Sequence, residues 1–335
     1  MKKLLNDPSD YVDESLAGLE LAHPDIYRRA AASPRVVTRA KPIRPGKVGV
    51  VSGGGSGHLP TFTGFVGQGL LDACSIGNVF AGPSVDDCVE AMREANGGAG
   101  VLRLYGNYGG DRMNFDMAGE MLEMEGIETT TVLAADDIAS AGPDEWRKRR
   151  GVAGLILAYK TTGAKAEQDG ATLAEVTEVA RKTTEATATI GVGLTSCIVP
   201  EAGKPTFAIG ADEIEMGIGI HGEPGIWRGP LRPADALAGE MVERLLADTA
   251  MAGGERVAVL VNSLGATPLE ELYILHRVVA SELKAKGITI GFVRVGRYAT
   301  SMEMAGASIS FLRLDRELEG LLRAPATCPF WSNEP

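Results

Sequence analysis

The sequence predicts an α/β protein made of two α/β domains, the first with a mainly parallel sheet. Its 335 residues amount to about twice the length of a typical domain. Along this length, strands, glycine-rich loops and amphipathic helices alternate, which is typical of an α/β layer. Hydrophobic residues make up 44% of the chain and charged residues 23%, which excludes a collagen-like or largely disordered protein. We place the domain boundary in a passage rich in threonine and alanine, so that the domains cover residues 1–190 and 191–335.

The first domain is predicted to begin with an acidic helix and then to alternate strands with helices. Its first strong strand leads directly into a glycine loop, residues 53–58, with the sequence GGGSGH. Ser84 and Asp87 have the spacing of a helix-capping pair. The predicted elements are a helix over 12–21, a strand over 47–52, a helix over 84–95, a strand over 100–105, a loop over 106–110, a helix over 111–126, a strand over 127–133 and two helices within 151–186, whose apolar start could instead form a strand.

The second domain is predicted to be a further α/β unit. No internal repeat, heptad run or low-complexity tract interrupts the order of its elements. These are short strands over 206–209 and 213–220, a helix over 233–248, a strand over 256–263, a helix over 269–286, strands over 288–295 and 308–314, and a final helix from residue 315.

Charge and hydropathy exclude several classes of function. With 33 basic and 44 acidic residues, the formal net charge is −11, the wrong sign for binding through phosphate neutralisation. The dense basic run at residues 147–150 is predicted to close a helix and to form a solvated face. No apolar run approaches the ~20 residues of a membrane helix, and no signal region follows the start. We therefore expect a soluble, cytoplasmic protein without nucleic-acid or membrane partners.

The cysteines give no sign of a disulfide framework or a metal site. They show neither CxxC pairing nor the spacing of zinc ligands. We expect reduced, mostly buried thiols at Cys74, Cys88, Cys197 and Cys328.

The glycine loop is the first candidate for a binding site. It places backbone N–H groups and a hydroxyl at the carboxyl end of a strand, where open α/β sheets bind ligands. The glycines alone could form a simple turn between strand and helix, but His58 at the tip favours a site. Neither GxGxxG nor GxxxxGK[ST] occurs, so the chain shows no recognisable nucleotide site.

One further histidine and one aspartate stand out by their context. His23 and His276 are interpreted as structural or solvated, whereas His221 ends an apolar strand before the turn-rich sequence GEPG. A neutral imidazole is a competent nucleophile near pH 7 and could add to a ketone. Asp111, at the mouth of a helix, could be an N-cap. If the strands before residues 58 and 111 are neighbours in one sheet, His58 and Asp111 instead lie in one cleft.

Five long segments carry a resemblance to a known family. They are VSGGGSGH at 51–58, NYGGDRMNFDMA at 107–118, CIVPEAGKPTFAIGADEIEMGIGIHGEPG at 197–225, LVNSLGATPLEELYILHR at 260–277 and GRYATSMEMAGASISFLRLD at 296–315. In this order they resemble the K subunit, or K domain, of dihydroxyacetone kinases. The opening KKLLNDPSDYVDESLAGLELAHPD is also similar to that family's N-terminus, so the likeness covers nearly the whole chain.

The resemblance implies a role for each candidate residue. His221 would add to the carbonyl of a short ketose and hold it as a covalent hemiaminal. Asp111 would act as general base at the terminal hydroxyl of the ketose, and His58 as a second acid/base group hydrogen-bonded to the sugar. The residues that would line the site are Gly55, Ser56, Gly57 and Gly106.

The resemblance also implies partners. The phosphoryl donor would be held by a separate L subunit or a fused L domain, which binds ADP or ATP with Mg²⁺, so we expect no cofactor or metal in this chain. The donor would be either ATP or a protein of the phosphotransferase system. We further expect a homodimer. The alternative function is that of a non-catalytic paralogue that senses a ketose and acts as a regulator.

Two positions depart from the family pattern. The glycine motif commonly reads GGGSGHEP, whereas Leu59 stands here in the glutamate position. The second loop commonly has a lysine before Asn-Tyr, whereas Gly106 stands here. Both changes are expected to remove charge beside the site and to open space for a larger ketose, such as erythrulose or a branched pentulose.

Overall fold

Two six-stranded sheets and one two-stranded sheet organise the chain. The structure, a computed structural model, describes residues 2–333. It confirms the predicted class: the protein is α/β, with two domains and a mainly parallel first sheet.

The first sheet brings together the strand ends that the sequence singled out. Its strands are β1 (Tyr27–Arg29), β2 (Val36–Arg39), β3 (Gly49–Ser56), β4 (Ala73–Val79), β5 (Val101–Gly106) and β6 (Thr129–Ala134). They lie in the order β1-β2-β4-β3-β5-β6, and the pairings of β4 with β3, β3 with β5 and β5 with β6 are parallel. The carboxyl ends of β3 and β5 therefore meet at one edge, as predicted.

Helices flank this sheet and fix the loops that follow its strands. The α-helices are α1 (Tyr11–Ala22), α2 (Val85–Ala95), α3 (Gly109–Met124), α4 (Leu155–Ala166) and α5 (Leu173–Glu185). Short 3₁₀ helices lie at Pro8–Asp10, Thr63–Phe65 and Pro143–Lys148. The hydroxyl of Ser84 accepts a hydrogen bond from the Asp87 backbone N–H at 3.1 Å, which confirms the predicted start of α2.

The second sheet is mainly antiparallel. Its strands are β7 (Thr187–Gly193), β8 (Glu213–Met216), β9 (Trp227–Pro230), β10 (Arg256–Ser263), β11 (Thr289–Gly296) and β12 (Gly306–Leu314), in the order β11-β10-β12-β7-β8-β9. Of these pairings, that of β10 with β11 is parallel. The remaining elements of this half are α6 (Ala234–Thr249), α7 (Leu269–Ala285), α8 (Arg316–Arg323) and the hairpin of β13 (Ala326–Cys328) with β14 (Trp331–Asn333).

Each predicted helix has a counterpart in the structure, and the errors concern strands. The strand predicted over 206–209 is wrong, because that segment has no partner strand and instead forms a loop held by the Thr206 N–H on the Cys197 carbonyl at 3.0 Å. The strand predicted over 213–220 ends at Met216, where the chain turns. The strands that the sequence analysis did not predict are β1, β2, β4, β7, β9, β13 and β14.

The C-terminal segment returns to the first domain. Leu318 and Leu322 of α8 lie in the same hydrophobic core as Leu157 of α4. The ammonium of Lys160 donates to the Leu321 carbonyl at 2.6 Å, and Thr327 N–H donates to the Gln68 carbonyl at 3.0 Å. The boundary at residue 190 stays a prediction; residue 190 falls within β7, a strand of the second sheet.

Three further observations concern the described residues, 2–333. No helix in this range combines the length and the apolar character needed to cross a bilayer. No group of three or more His, Cys, Asp or Glu side chains in it could hold a metal ion. The predicted thiols are all free and buried: Cys74, Cys88, Cys197 and Cys328.

Candidate active site

The glycine motif continues a strand and does not form the predicted loop from residue 53. β3 extends to Ser56 because Gly53, Gly54 and Gly55 pair with β4. Side chains would be excluded there: a Cβ on Gly54 would collide with the Phe62 ring, and a Cβ on Gly55 would come within 2.7 Å of Phe80 Cα. The glycines therefore let two aromatic residues pack directly on the strand that leads to His58.

His58 is buried and held by its Nδ1 atom. Its exposed fraction is 3%, and Nδ1–H donates to the Thr300 carbonyl at 2.6 Å. Since a carbonyl only accepts, Nδ1 carries the proton and the Nε2 lone pair is free. Burial and the neighbouring His221 lower the pKa of His58 to about 3. His58 is therefore neutral at pH 7.

Strained backbone surrounds His58. Phe62, Phe80 and Met302 have φ angles of 69°, 59° and 51°, in the region that non-glycine residues rarely adopt. The Phe80 ring stacks on the His58 ring with centroids 4.9 Å apart, and Met302 N–H donates to the Gly57 carbonyl at 2.7 Å. Such strain concentrates at functional sites because surrounding contacts must maintain it.

His221 comes from the second domain and faces His58. It lies in the turn that follows β8, and its Nε2 atom is 3.1 Å from His58 Nε2. Its Nδ1 atom is 3.1 Å from Glu223 Oε1, and its backbone N–H donates to Glu223 Oε2 at 2.9 Å. The ring of Tyr108 meets it edge to face, with centroids 5.0 Å apart. The sequence analysis did not identify Glu223. Its position two residues after His221, in a glycine-rich turn, was a signal that could have indicated a contact with the ring.

Asp111 lines the same cavity as the two histidines. It lies in the first turn of α3, whose N-cap position is Tyr108, so the N-cap interpretation is wrong. Its Oδ1 atom is buried without a hydrogen-bond partner. Burial, opposed by His221, raises the pKa of Asp111 to about 6. A buried, unpartnered carboxylate that ionises near neutral pH is suited to general base catalysis.

One cavity joins these three side chains. It is lined by Gly53, Gly54, Gly55, His58, Thr61, Phe62, Gly106, Tyr108, Asp111, Gly151, Val152, Leu155, Ile220 and His221. Of the residues predicted to line the site, Gly55 and Gly106 do so. Ser56 and Gly57 line a neighbouring cavity of about 560 Å³. The ends of β3 and β5 and the turn after β8 thus converge on one small space.

The two positions that depart from the family pattern lie in different places. Leu59 is 44% exposed and lines the neighbouring cavity, so its replacement of a glutamate does not remove charge from the cavity of Asp111. Gly106 does line that cavity, but a Cβ there would lie 3.1 Å from the Tyr108 ring. Tyr108 therefore fills part of the space that the absent lysine was expected to leave.

The solvated face predicted for residues 147–150 is wrong for two of its arginines. Arg149 is 4% exposed and donates two hydrogen bonds to Asp248. Arg150 Nε donates to buried Asp137 at 2.9 Å, and Arg150 Nη1 lies 3.8 Å from Glu223 Oε2. A run of like charges gave no sign of these three acidic partners, because Asp248 and Glu223 are distant in sequence and Asp137 lies before the run, outside it.

The fold is that of a class that includes known dihydroxyacetone kinases. The native form of the dihydroxyacetone kinase of C. freundii superposes with a TM-score of 0.90 at 33% identity, covering 99% of this chain and 60% of that one. The dihydroxyacetone kinase operon co-activator Dha-DhaQ gives 0.89 at 31% identity, covering 96% and 99% of the two chains.

The chain belongs to the Dak1 domain family, whose sequence profile matches residues 17–330. It is 43% identical to the dihydroxyacetone-binding subunit of PTS-dependent dihydroxyacetone kinase 1 from Listeria innocua, covering 99% of this chain and 100% of that protein. It is 42% identical to the D-erythrulose kinase of Mycolicibacterium smegmatis, covering 98% of this chain and 56% of that protein. These findings confirm the resemblance to K subunits of dihydroxyacetone kinases.

Proposed function

We propose that this chain is the ketose-binding catalytic subunit of a two-component ketose kinase. Its substrate would be dihydroxyacetone or a related short ketose, such as a tetrulose or a branched pentulose. The observation that carries the proposal is the convergence of His221 Nε2, His58 Nε2 and the unpartnered Asp111 carboxylate on one cavity. The names of two relatives support this substrate class: one is a dihydroxyacetone-binding subunit and the other is a D-erythrulose kinase.

The first chemical step is addition of His221 to the ketose. The Nε2 lone pair forms a bond to the carbonyl carbon, and the π electrons of the C=O bond move to oxygen. That oxygen takes up a proton from solvent, and His58 Nε2, which carries no proton, accepts a hydrogen bond from the new hydroxyl. The positive charge of the substituted imidazole is balanced by Glu223, 3.1 Å from Nδ1.

This covalent step explains how a small ketose could be selected. Hydroxyl groups on small polyols resemble water, so hydrogen bonds alone discriminate weakly between a triose ketone and glycerol. A nucleophile that must bond to a carbonyl rejects every ligand without one. The bond also fixes the orientation of the terminal hydroxyl for attack on a phosphoryl group.

The second step is phosphoryl transfer to the terminal hydroxyl. Asp111 accepts the hydroxyl proton while the oxygen forms a bond to phosphorus and the bond from phosphorus to the donor breaks. With a pKa of about 6, most Asp111 carboxylates are ionised at pH 7 and can accept that proton.

In this proposal the donor is presented by an L-type partner with ADP or ATP and Mg²⁺, or by a phosphotransferase-system protein. The match to all of the Listeria subunit, but to only 56% of the D-erythrulose kinase, supports a division of the reaction between two units. The proposal also includes assembly of this chain as a homodimer.

A non-catalytic ketose sensor is the second candidate function. The observation that favours it is the close fold similarity to the operon co-activator, with a TM-score of 0.89. A sensor needs His221 but has no use for a base at the terminal hydroxyl. Asp111, buried and unpartnered in the cavity, favours the kinase.

The test is adduct formation followed by intact-mass measurement under native conditions. Incubation with dihydroxyacetone or erythrulose should add the mass of that ketose to the wild-type chain, and His221→Ala should abolish the addition. His276→Ala, which changes a half-buried histidine on α7, is the matched control and should retain the adduct. An adduct that survives His221→Ala would refute the covalent mechanism.

A further inference from the structure

The Glu223 carboxylate holds His221 at two atoms. Oε2 accepts the His221 backbone N–H at 2.9 Å, and Oε1 lies 3.1 Å from the ring Nδ1. The turn that permits this is closed by hydrogen bonds of 3.0 Å from Gly219 N–H to the Glu223 carbonyl and from Gly222 N–H to the Gly219 carbonyl. One side chain thereby sets both the backbone and the ring orientation of the proposed nucleophile.

The charge of Glu223 decides which ring nitrogen of His221 carries the proton. Burial raises the pKa of the Glu223 carboxyl, but the hydrogen bond and charge of His221, together with Arg150, outweigh burial and lower it to about 2. An ionised carboxylate only accepts hydrogen bonds, so the neighbouring Nδ1 must be the protonated nitrogen. In a neutral His221 ring, Nε2 then keeps its lone pair.

Arg150 lies beside the Glu223 carboxylate and helps to hold it in place. Its Nε donates to Asp137, which is 2% exposed, at 2.9 Å, and its Nη1 lies 3.8 Å from Glu223 Oε2. Gly219 makes this approach possible: a Cβ there would collide with Glu223 Oε2 and lie 2.6 Å from Arg150 Nη1. The chain from Asp137 through Arg150 and Glu223 thus ends at the ring of His221.

We propose that Glu223, held in place by Arg150, is a positioning residue that keeps His221 in its Nδ1–H form and so leaves Nε2 free to attack. The proposal deepens the proposed function and rests on it. It also explains the geometry of the two histidines: Thr300 holds a proton on Nδ1 of His58, and Glu223 holds one on Nδ1 of His221. The two Nε2 atoms lie 3.1 Å apart, so His58 Nε2 is within reach of any group that bonds to His221 Nε2.

The experiment combines a tautomer measurement with a binding measurement on the full chain. The ¹⁵N spectrum of histidine-labelled protein reports which nitrogen of His221 is protonated, with the signals assigned by their loss in His221→Ala. A titration with dihydroxyacetone, followed by intact mass, reports the concentration needed for half-occupancy. Glu213→Gln is the matched control, because Glu213 also accepts a backbone N–H across a short turn, that of Gly210, without touching His221.

We expect Glu223→Ala to give a mixture of tautomers and to raise the half-occupancy concentration by about 10- to 100-fold, the range seen when outer partners of functional histidines are removed. Glu223→Gln should give a smaller loss in both readouts than Glu223→Ala, because its single amide oxygen can accept either the Nδ1 proton or the backbone N–H of His221, but not both. Gly219→Ala, which keeps every charge but displaces the carboxylate, should fall between them. The control should match wild type.

Two results would overturn the proposal: an unchanged tautomer in Glu223→Ala, or equal losses in the Ala and Gln variants. If Glu223→Ala does not fold, the Gln and Gly219→Ala variants decide. If the wild-type chain forms no adduct with any ketose, the proposed covalent function fails, whereas the tautomer spectra still decide the role of Glu223.

Discussion

The two histidines of the candidate site come from different domains and differ in what holds them. His58, at the end of a strand of the first sheet, is buried and donates to a neutral carbonyl, that of Thr300. His221, in a turn of the second domain, has a side chain 25% exposed and faces a carboxylate, that of Glu223. The same side chain is therefore set up for two tasks. In the proposed mechanism, the first domain supplies the groups that accept a proton or a hydrogen bond, and the second supplies the group that forms the covalent bond.

Among the tests of this division of roles between the two domains, Asp111→Asn is expected to have the largest effect. The substitution removes the proposed base from the first domain and leaves His221 intact. We expect the ketose adduct to persist while phosphoryl transfer falls by about 10²- to 10⁴-fold, the usual range for a lost general base. Transfer would be measured with the cognate L subunit, and the adduct by intact mass. Normal turnover would remove Asp111 from the reaction, and loss of the adduct would show that the two domains do not act separately.

His58→Asn should slow the formation of the adduct. The variant keeps a polar side chain but lacks the ring nitrogen that would accept a hydrogen bond from the new hydroxyl. We expect the rate of adduct formation to fall by about 10²-fold, the lower end of the range for acid–base groups. Rapid chemical quenching at a series of times, followed by intact-mass measurement, gives that rate. Because the pKa of His58 is about 3, its protonation state should add no pH dependence to the wild-type rate between pH 5 and 8.

A comparison of Gly106→Ser with Leu59→Glu tests where the substrate lies. A side chain at 106 would enter the cavity beside Tyr108, whereas residue 59 lines a different cavity. We expect Gly106→Ser to lower kcat/KM for erythrulose, relative to dihydroxyacetone, by about 10-fold, as for one misplaced group in a pocket. Leu59→Glu should leave that ratio within about twofold. The reverse outcome would move the ketose to the neighbouring cavity.

The smallest expected effect is on stability, again at Asp111. Its pKa is raised from 3.8 to about 6 on folding, so below pH 3.8 the folded and unfolded chains are both protonated there and no penalty applies. Between pH 3.8 and about 6 the unfolded chain ionises at this position while the folded chain stays protonated, so the destabilisation grows over this range and is complete above pH 6. Asp111→Asn should therefore raise the free energy of unfolding by about 1–2 kcal/mol at pH 8 and leave it unchanged near pH 3. Urea denaturation of the wild type and the variant at the two pH values measures these free energies of unfolding. Equal values for the two proteins at pH 8 would contradict the burial of this charge.

Part of this site could be predicted from the sequence because it depends on local patterns. The strand before His58 and the strand before Asp111 are apolar runs of ordinary length, and their adjacency follows from a parallel sheet. β4 was missed because its sequence, ACSIGNV, has few of the β-branched and aromatic residues that mark strands. The glycines of β3 read as a loop because their function is to admit Phe62 and Phe80 from elsewhere in the chain.

The rest depends on contacts between residues far apart in the sequence. The partnership of Arg150 with Glu223 requires two segments from different domains to meet, and no composition or periodicity encodes it. The contact between the Thr300 carbonyl and His58 is equally hidden in the sequence. The carbonyl determines which nitrogen of His58 carries the proton, although the two residues are more than two hundred positions apart. The tautomer of His58, and the tautomer proposed for His221, therefore depend on the folded chain.

The return of the C-terminal segment to the first domain has a consequence for synthesis on the ribosome. α8 and the final hairpin place Leu318, Leu322 and Trp331 in a core that also contains Leu157 and Val176. Nascent domains ordinarily fold in the order in which they emerge. Here the first domain cannot complete its core until residues 316–333 have left the exit tunnel, by which time every strand of the second sheet has been made. A nascent chain stalled before α8 would therefore expose part of this core to solvent.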